Sequence, residues 1–283
     1  MRRPVSAALV VILIAVLAGC SAASSPGASP AASPAGTVAA PAVSPSGAAN
    51  GILLVALGDS ATTGHGDPSG KGWVQYYADR IQAGLGRPVT VSNLAKDGMT
   101  SADLLAAVQT DQAVRSAIAS ADIVAIGIGG NDLNVGDAAL EAKSCSGTAC
   151  YDQPAADYKK NLDAISAEIA KIHTGKPVVL RAIGMPNVMT GAESQLPDFL
   201  KGISTMIGAY EAKLIDDAAC AAIQAHGGVC AALRTPFNGP DGTGNAVAKG
   251  LVSLDDCCYP TEAGHRLIAD LLYQTGVAPL ATP

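Results

Sequence analysis

The sequence has few aromatic residues and few charges. Aromatic side chains make up 4% of its 283 residues, and Asp, Glu, Lys and Arg together make up 15%. With 49% apolar residues and no collagen-like repeat, such a chain is neither a coiled coil nor wholly disordered. Basic residues number 18 against 24 acidic ones, and the net charge of −6 argues against a nucleic-acid partner and against electrostatic binding to anionic lipid. The length fits one α/β domain with additional segments.

The apolar run near the N-terminus is too short to span a membrane. Val5–Ala18 falls below the roughly twenty apolar residues of a spanning helix, and Arg2 and Arg3 precede it. This pattern predicts a cleaved signal peptide over residues 1–19. The run ends in Leu17-Ala18-Gly19-Cys20, which resembles the lipobox of bacterial lipoproteins. The resemblance implies an exported protein held at the outer face of the cell membrane by a lipid on Cys20 alone; a conventional signal peptide with an incidental cysteine is the alternative.

Residues 20–50 have no charge and little capacity to fold. Between Ser21 and Asn50, 26 of the 30 residues are Ala, Ser, Pro or Gly. A segment of this composition predicts a flexible tether of about 30 Å. Residues 51–283 then form the folded domain.

Six cysteines follow the tether, and neither a Cys-x-x-Cys nor a His-x₃-His spacing accompanies them, so no metal site is expected. In an exported chain an even number of cysteines predicts disulfides. The local pairs are Cys145 with Cys150 and Cys220 with Cys230, which leaves Cys257 next to Cys258. Because a bond between adjacent cysteines is strained, a crossed pairing stays open.

Apolar runs of strand length alternate with helical patterns from residue 51 onward. This alternation predicts βαβ units and a parallel sheet covered on both faces. The expected strands are Ile52–Leu57, Val89–Ser92, Ala121–Ile128, Val178–Ile183 and, more weakly, Gly228–Ala232. The expected helices are Gly72–Ala83, Ala102–Ala119, Ala155–Ile172, Leu196–His226 with an optional break, and Thr261–Thr275, with a long loop over Asn238–Gly250.

Three common site signatures are missing. Gly64–Gly72 does not match a phosphate-binding loop, Gly127–Asp132 lacks the third glycine of a dinucleotide fingerprint, and no Gly-x-Ser-x-Gly occurs. Polar residues do follow the first three strands, at Asp59-Ser60, at Asn93 with Gly98, and at Asn131-Asp132. Ligands of open parallel sheets bind at this edge. Ser60 lies at this edge, where its own N–H, the Gly98 N–H and the Asn131 amide can surround the oxygen of a bound ester. A serine with such donors predicts acyl transfer, with the donors forming an oxyanion hole.

These segments together resemble the SGNH or GDSL-type hydrolases. Val55–Ser60 matches the nucleophile block, Asn93 with Gly98 the glycine block, and Gly129–Asp132 the Gly-x-Asn-Asp block. The resemblance implies a three-layer α/β sandwich with a central, mostly parallel five-stranded sheet, similar to flavodoxin. It also implies a serine esterase without a cofactor, acting on carbohydrate O-acetyl esters, simple short-chain acyl esters, lipid esters or thioesters. We expect the protein to be a monomer.

The fourth block of that family departs from its pattern. Its Asp-x-x-His-Pro carries the catalytic base, whereas this chain has Asp256-Cys257-Cys258-Tyr259-Pro260. A phenol ordinarily ionises near pH 10 and is a poor base at neutral pH. His265 is the expected substitute, oriented by Asp256, Asp255 or Glu262, although its apolar helical spacing equally fits a packed residue. His65 is the second candidate, and a surface binding lipoprotein without turnover is the alternative function.

Overall fold

A computed structural model describes residues 51–175 and 177–280 of the chain. The predicted signal peptide, residues 1–19, and the predicted tether, residues 20–50 with Cys20, lie outside the described residues. Among the described residues, no helix combines the length and the apolar character needed to cross a membrane.

Five parallel strands form one sheet. They are β1 (Ile52–Gly58), β2 (Val89–Asn93), β3 (Ile123–Gly127), β4 (Val179–Ile183) and β5 (Val229–Ala231), in the spatial order β2-β1-β3-β4-β5. β1 pairs with β2 on one side, and on the other its last residue, Gly58, aligns with Gly127, the last of β3. The predicted α/β fold with a five-stranded parallel sheet is confirmed, and the carboxyl ends of all five strands share one edge.

Helices cover both faces of this sheet. They are α1 (Ser60–Thr63), α2 (Gly72–Leu85), α3 (Ser101–Thr110), α4 (Gln112–Ser120), α5 (Gly130–Glu141), α6 (Asp152–Ile172), α7 (Ser204–Ala225), α8 (Arg234–Asn238) and α9 (Glu262–Gln274). Short 3₁₀ turns lie at Gly147–Cys150, Asp198–Leu200 and Ala278–Leu280.

The strands alternate between two cores, as a period of two residues requires. Leu54 and Ala56 of β1 face the core under α2 and α9, where Trp73 and Ile268 are buried. Val55 and its alternating neighbours face the larger core under α3, α4, α6 and α7. β1 and β3 are covered on both faces and read as nearly continuous apolar runs, which is why the sequence predicts them well.

One helical prediction is wrong, one is confirmed with its break, and one helix was not predicted. The single helix over Ala102–Ala119 is wrong, because Asp111 ends α3 and caps α4, its Oδ1 accepting the N–H groups of Ala113 and Val114. The optional break in Leu196–His226 is present, since α7 begins at Ser204 after a separate 3₁₀ turn. α5 was not predicted, because its glycines and asparagines are poor helix formers.

Within the described residues, all six cysteines pair locally. Cys145 bonds to Cys150 and Cys220 to Cys230, as expected. The remaining pair is the direct bond Cys257–Cys258, so the crossed pairing left open by the sequence is not found.

Candidate active site

Ser60 lies where β1 ends and α1 begins. The preceding turn requires glycine, since Gly58 has φ +151° and a Cβ there would lie 1.9 Å from the Gly127 carbonyl oxygen. Thr62 Oγ1 donates to the same oxygen at 2.7 Å and ties α1 to β3. These contacts fix Ser60 at the sheet edge, with 8% of its surface exposed.

Asp59 caps α1 beside the serine. Its Oδ1 accepts the Ala61 N–H at 3.1 Å, and the carboxyl group lines the pocket that contains Ser60. Burial raises the pKa of Asp59 to about 6. A carboxyl group that titrates close to neutral pH therefore adjoins the nucleophile candidate.

Tyr259, which stands at the histidine position of the family pattern in sequence, contacts Ser60. Its phenolic O–H donates to Ser60 Oγ at 3.0 Å, across 199 residues of chain. Two backbone hydrogen bonds hold the residue, from Tyr259 N–H to the Asp256 carbonyl at 3.0 Å and from Ser253 N–H to the Tyr259 carbonyl at 2.9 Å. In the sequence, Tyr259 is a departure from the family pattern. In the structure, it is the residue that contacts Ser60.

Two of the three oxyanion-hole candidates, Ser60 and Asn131, line one pocket. Asn131 lines the same pocket as Ser60, and its Nδ2 donates to the Met99 carbonyl at 3.0 Å, next to Gly98. The loop carrying Gly98 is tied to β1 by Lys96 N–H, which donates to the Gly58 carbonyl at 3.0 Å. Within residues 51–175 and 177–280, the N–H groups of Ser60 and Gly98 have no protein acceptor. The structure thus brings Ser60 and Asn131 into one pocket, whereas Gly98 does not line it and is connected to Asn131 through the neighbouring Met99.

Asp132 has a positioning contact that the sequence did not indicate. Its carboxylate accepts the Ser101 N–H at 3.0 Å and the Ser101 hydroxyl as well. Asn161 Nδ2 also donates to the Ser101 hydroxyl at 2.9 Å. Burial raises the pKa of Asp132. The contact spans 31 residues and connects the start of α3 to the segment that carries Asn131.

His265 does not lie at Ser60. Its ring is fully buried, its Nδ1 accepts the Trp73 N–H at 3.1 Å, and its Nε2 donates to the His65 carbonyl at 2.8 Å. Burial lowers the pKa of His265, so the imidazole is held neutral. With both ring nitrogens bonded to backbone groups, His265 is placed as a packing residue between α2 and α9, and the expectation that it replaces the base is corrected on this geometry.

The expected orienting carboxylates are also placed elsewhere. Asp256 Oδ2 accepts the Gly66 N–H at 2.9 Å and lies 3.5 Å from His65 Nδ1. Glu262 pairs with Arg266 at 2.7 Å, and Asp255 donates its N–H to Ser253 Oγ at 3.2 Å. None of these contacts connects a carboxylate to His265.

His65 lies beside Tyr259 at the mouth of the site. Its ring centroid is 5.0 Å from that of Tyr259, and its Nε2 is 2.9 Å from Asp97 Oδ2. The hydrogen bond with Asp97 raises the pKa of His65, and hydrogen bonds from Thr63 and His65 lower that of Asp97. Both ring nitrogens of His65 face carboxylates, Nε2 at Asp97 and Nδ1 at Asp256, and neither is bonded to Ser60, so the geometry favours His65 as a neighbour of the site rather than its base.

A pocket of about 190 Å³ opens beside Ser60. Its polar wall contains Asp59, Ser60, Asn131 and Tyr259. The rest of the wall is mainly apolar and includes Ile128, Ile183, Met185, Pro186, Val188, Leu233 and Ile268, together with Cys258. The volume suits a small apolar group placed next to the serine.

Residues 54–272 match the family described as GDSL-like lipase/acylhydrolase. The chain belongs to this family. Family membership supports hydrolysis, and ester hydrolysis in general, as its reaction class. A relative of this GDSL-like chain is the uncharacterized protein YpmR of Bacillus subtilis (strain 168), 28% identical over 230 residues, which are 79% of this chain and 80% of YpmR.

Two solved structures illustrate the shared fold. The lipase Lip_vut3 from a goat rumen metagenome is 20% identical with a TM-score of 0.64, and the similarity covers 81% of this chain and 99% of that lipase. A lipase/acylhydrolase from Enterococcus faecalis is also 20% identical, with a TM-score of 0.52 over 81% and 96% of the two chains. At these identities the likeness concerns the arrangement of strands and helices.

Proposed function

We propose that the chain is a serine esterase in which Ser60 attacks an acyl ester and Tyr259 exchanges the proton that histidine exchanges elsewhere in the family. The supporting observation is the 3.0 Å hydrogen bond between Tyr259 Oη and Ser60 Oγ. A proton acceptor must lie within hydrogen-bond reach of the group that it deprotonates, and Tyr259 meets this condition where His265 does not.

The reaction begins once Tyr259 has lost its phenolic proton. The phenolate takes the proton of the Ser60 hydroxyl while Oγ bonds to the acyl carbon, and the resulting phenol then protonates the departing alkoxide. Water then attacks the acyl carbon while the phenolate takes one of its protons, and as the C–Oγ bond breaks the phenol passes that proton to Ser60 Oγ and the acid is released. The proton that left with the alcohol is thus replaced by one from water, and Ser60 and the phenolate are regenerated.

Charge that develops on the ester oxygen is stabilised on the opposite side of Ser60. The N–H groups of Ser60 and Gly98 lack protein acceptors within the described ranges, and Asn131 contributes an amide. By analogy with other oxyanion holes, each donor lowers the barrier by about 3 kcal/mol. Asp132 acts indirectly, since it anchors the segment that carries Asn131.

The substrate is an ester with a small acyl group. A pocket of about 190 Å³ with a mainly apolar wall accommodates an acetyl or short aliphatic chain beside the nucleophile. Long lipid chains would extend beyond this volume. Short-chain and O-acetyl esters, carbohydrate O-acetyl groups among them, are therefore favoured over long-chain lipids.

For the whole chain we propose export and a lipid anchor. Leu17-Ala18-Gly19-Cys20 resembles a lipobox, and the uncharged residues 20–50 would separate the anchor from the catalytic domain. The enzyme would then act as a monomer at the outer face of the cell membrane, attached by its lipid alone.

Fluorophosphonate labelling tests the nucleophile directly. The wild-type protein is expected to be labelled at Ser60 and to hydrolyse p-nitrophenyl acetate, and Ser60→Ala is expected to lose both activities. Ser116→Ala, at an exposed site on α4, is the matched control and should behave as wild type. Labelling or turnover that persists in folded Ser60→Ala would contradict the assignment.

One observation favours a second function. Because the Tyr259 phenol donates its proton toward Ser60, the resting site lacks a ready proton acceptor, as in a binding protein that has kept the fold and lost turnover. Such a protein would bind short esters with unchanged affinity after Ser60→Ala. It would also show no labelling of the wild type between pH 7 and 9.

A further inference from the structure

The segment Asp256–Tyr259 contacts the site at both of its ends. At one end, Asp256 Oδ2 accepts the Gly66 N–H at 2.9 Å. At the other end, Tyr259 Oη donates to Ser60 Oγ at 3.0 Å. Cys257 and Cys258 lie between these contacts and are bonded to each other. The disulfide is therefore part of the backbone path that holds the partner of Ser60.

Global stability does not account for this disulfide. A cross-link stabilises a protein mainly by removing freedom from the unfolded chain, and the effect grows with the length of the closed loop. Cys257 and Cys258 are one residue apart, whereas the other two disulfides close separations of 5 and 10 residues. A link between neighbours constrains only the backbone next to them.

The constrained backbone borders the pocket. Cys258 lines the pocket beside Ser60 and packs against the core under α2 and α9. Both cysteines are partly exposed. The disulfide thus adjoins the pocket in a part of the chain that is not fully buried, and we expect a small dithiol to react with it.

The backbone at Gly66 packs closely against Tyr259 and Pro260. At Gly66, which has φ +84°, a Cβ would lie 2.8 Å from the Tyr259 Cβ and 2.3 Å from the Pro260 carbonyl oxygen. The backbone at Gly66 therefore passes directly against Tyr259. We expect a change in the path of residues 257–258 to move the phenol relative to Ser60, because Tyr259 directly follows the disulfide in the chain.

We propose that the Cys257–Cys258 disulfide is a positioning element for Tyr259, and that its reduction by a dithiol lowers the reactivity of Ser60. The inference rests on the proposed serine esterase. In the exchange, a thiolate of the dithiol attacks one sulfur and the S–S bond breaks. The second thiol then closes a ring, so the reagent leaves as its cyclic disulfide and both cysteines take up a proton.

A double-mutant cycle with Tyr259 tests whether the disulfide acts through the phenol. The rate constant for fluorophosphonate labelling of Ser60 is measured on folded protein at pH 8.5. Cys257→Ser together with Cys258→Ser is expected to lower the rate roughly tenfold to a hundredfold, the range for a misplaced catalytic group. In a Tyr259→Phe background, the same two substitutions should change the rate less than about twofold.

The control is Cys145→Ser with Cys150→Ser, which removes a local disulfide away from the site and should leave the rate within about twofold of wild type. As a second measurement, a dithiol should slow labelling of the wild type reversibly and leave the Cys257→Ser, Cys258→Ser protein unaffected. Equal rates for the wild type and that variant, or an equal loss in the Tyr259→Phe background, would overturn the inference while leaving the esterase assignment intact. Absence of labelling in oxidised wild type would overturn both.

Discussion

A phenol and an imidazole accept a proton in different pH ranges. The side chain at position 259 therefore sets the pH range in which the Ser60 hydroxyl can lose its proton. Restoring the family residue with Tyr259→His places a group with an ordinary pKa of about 6.5 at this position. We expect kcat/KM for p-nitrophenyl acetate at pH 7 to rise about tenfold or more, because more of the acceptor is unprotonated. Steady-state kinetics at pH 7 measures this, and a lower rate in well-folded Tyr259→His would show that the loop accommodates only the longer side chain.

His265 contributes to stability rather than to turnover. His265→Gln should reduce the free energy of unfolding by about 1–3 kcal/mol, because the buried ring bonds to Trp73 and to the His65 carbonyl. The kcat/KM of the folded fraction should stay within about twofold of wild type. Urea unfolding and ester kinetics on the same samples separate the two effects. A hundredfold loss of kcat/KM at unchanged stability would restore His265 as a catalytic residue.

The stability difference between wild type and His265→Gln should depend on pH. Since burial lowers the pKa of His265, the stability that it contributes is present above about pH 6.5, the ordinary value, and is lost as the pH falls. The difference in unfolding free energy between wild type and His265→Gln should therefore shrink from pH 8 to pH 5. The pKa of His65 is raised, so His65→Gln is the control with the opposite trend. Parallel trends for the two variants would contradict the assigned environments.

At the scale of elements, the end of β1 has no room for a side chain at Gly58. Gly58→Ala would bring a Cβ to 1.9 Å from the Gly127 carbonyl oxygen at a φ of +151°, and we expect a loss of about 3 kcal/mol or more. Gly86→Ala is the matched control, since Gly86 also has a positive φ but faces open space, and about 1–2 kcal/mol should be lost there. Chemical denaturation compares them, and equal losses would contradict the close approach of β1 to β3.

The elements also show what a sequence can predict. Ser60, Asn93 and Asn131 follow predicted strands, and parallel strands share a carboxyl edge, so their neighbourhood follows from the pattern. The contact of Tyr259 with Ser60 could not be predicted from the sequence pattern, because it depends on the path of a loop 199 residues further along the chain. The break at Asp111 was missed because the apolar pattern continues through it, whereas the capping bonds decide the geometry.

At the scale of the whole molecule, the proposed lipid anchor depends on Cys20, which lies outside the described part of the chain. Cys20→Ser should leave the signal segment uncleaved at that site or release the protein from the membrane fraction, because the acidic domain offers no second attachment. Cell fractionation with mass spectrometry of the N-terminus measures both outcomes. Ser21→Ala is the neighbouring control and should remain membrane-bound. Membrane retention of a mature, unacylated Cys20→Ser protein would contradict the lipobox assignment.

Proton exchange between Ser60 and Tyr259 is tested most directly by the pH dependence of kcat/KM for p-nitrophenyl acetate in wild type and Tyr259→Phe. If a phenol must ionise before it accepts a proton, the wild-type rate should rise with pH between pH 7 and 9, after subtraction of the rate of Ser60→Ala. Tyr259→Phe should lose this rise and fall roughly a hundredfold below wild type at pH 9. A wild-type profile that levels off near pH 7, or a Tyr259→Phe profile that parallels the wild type, would contradict proton exchange between Ser60 and Tyr259.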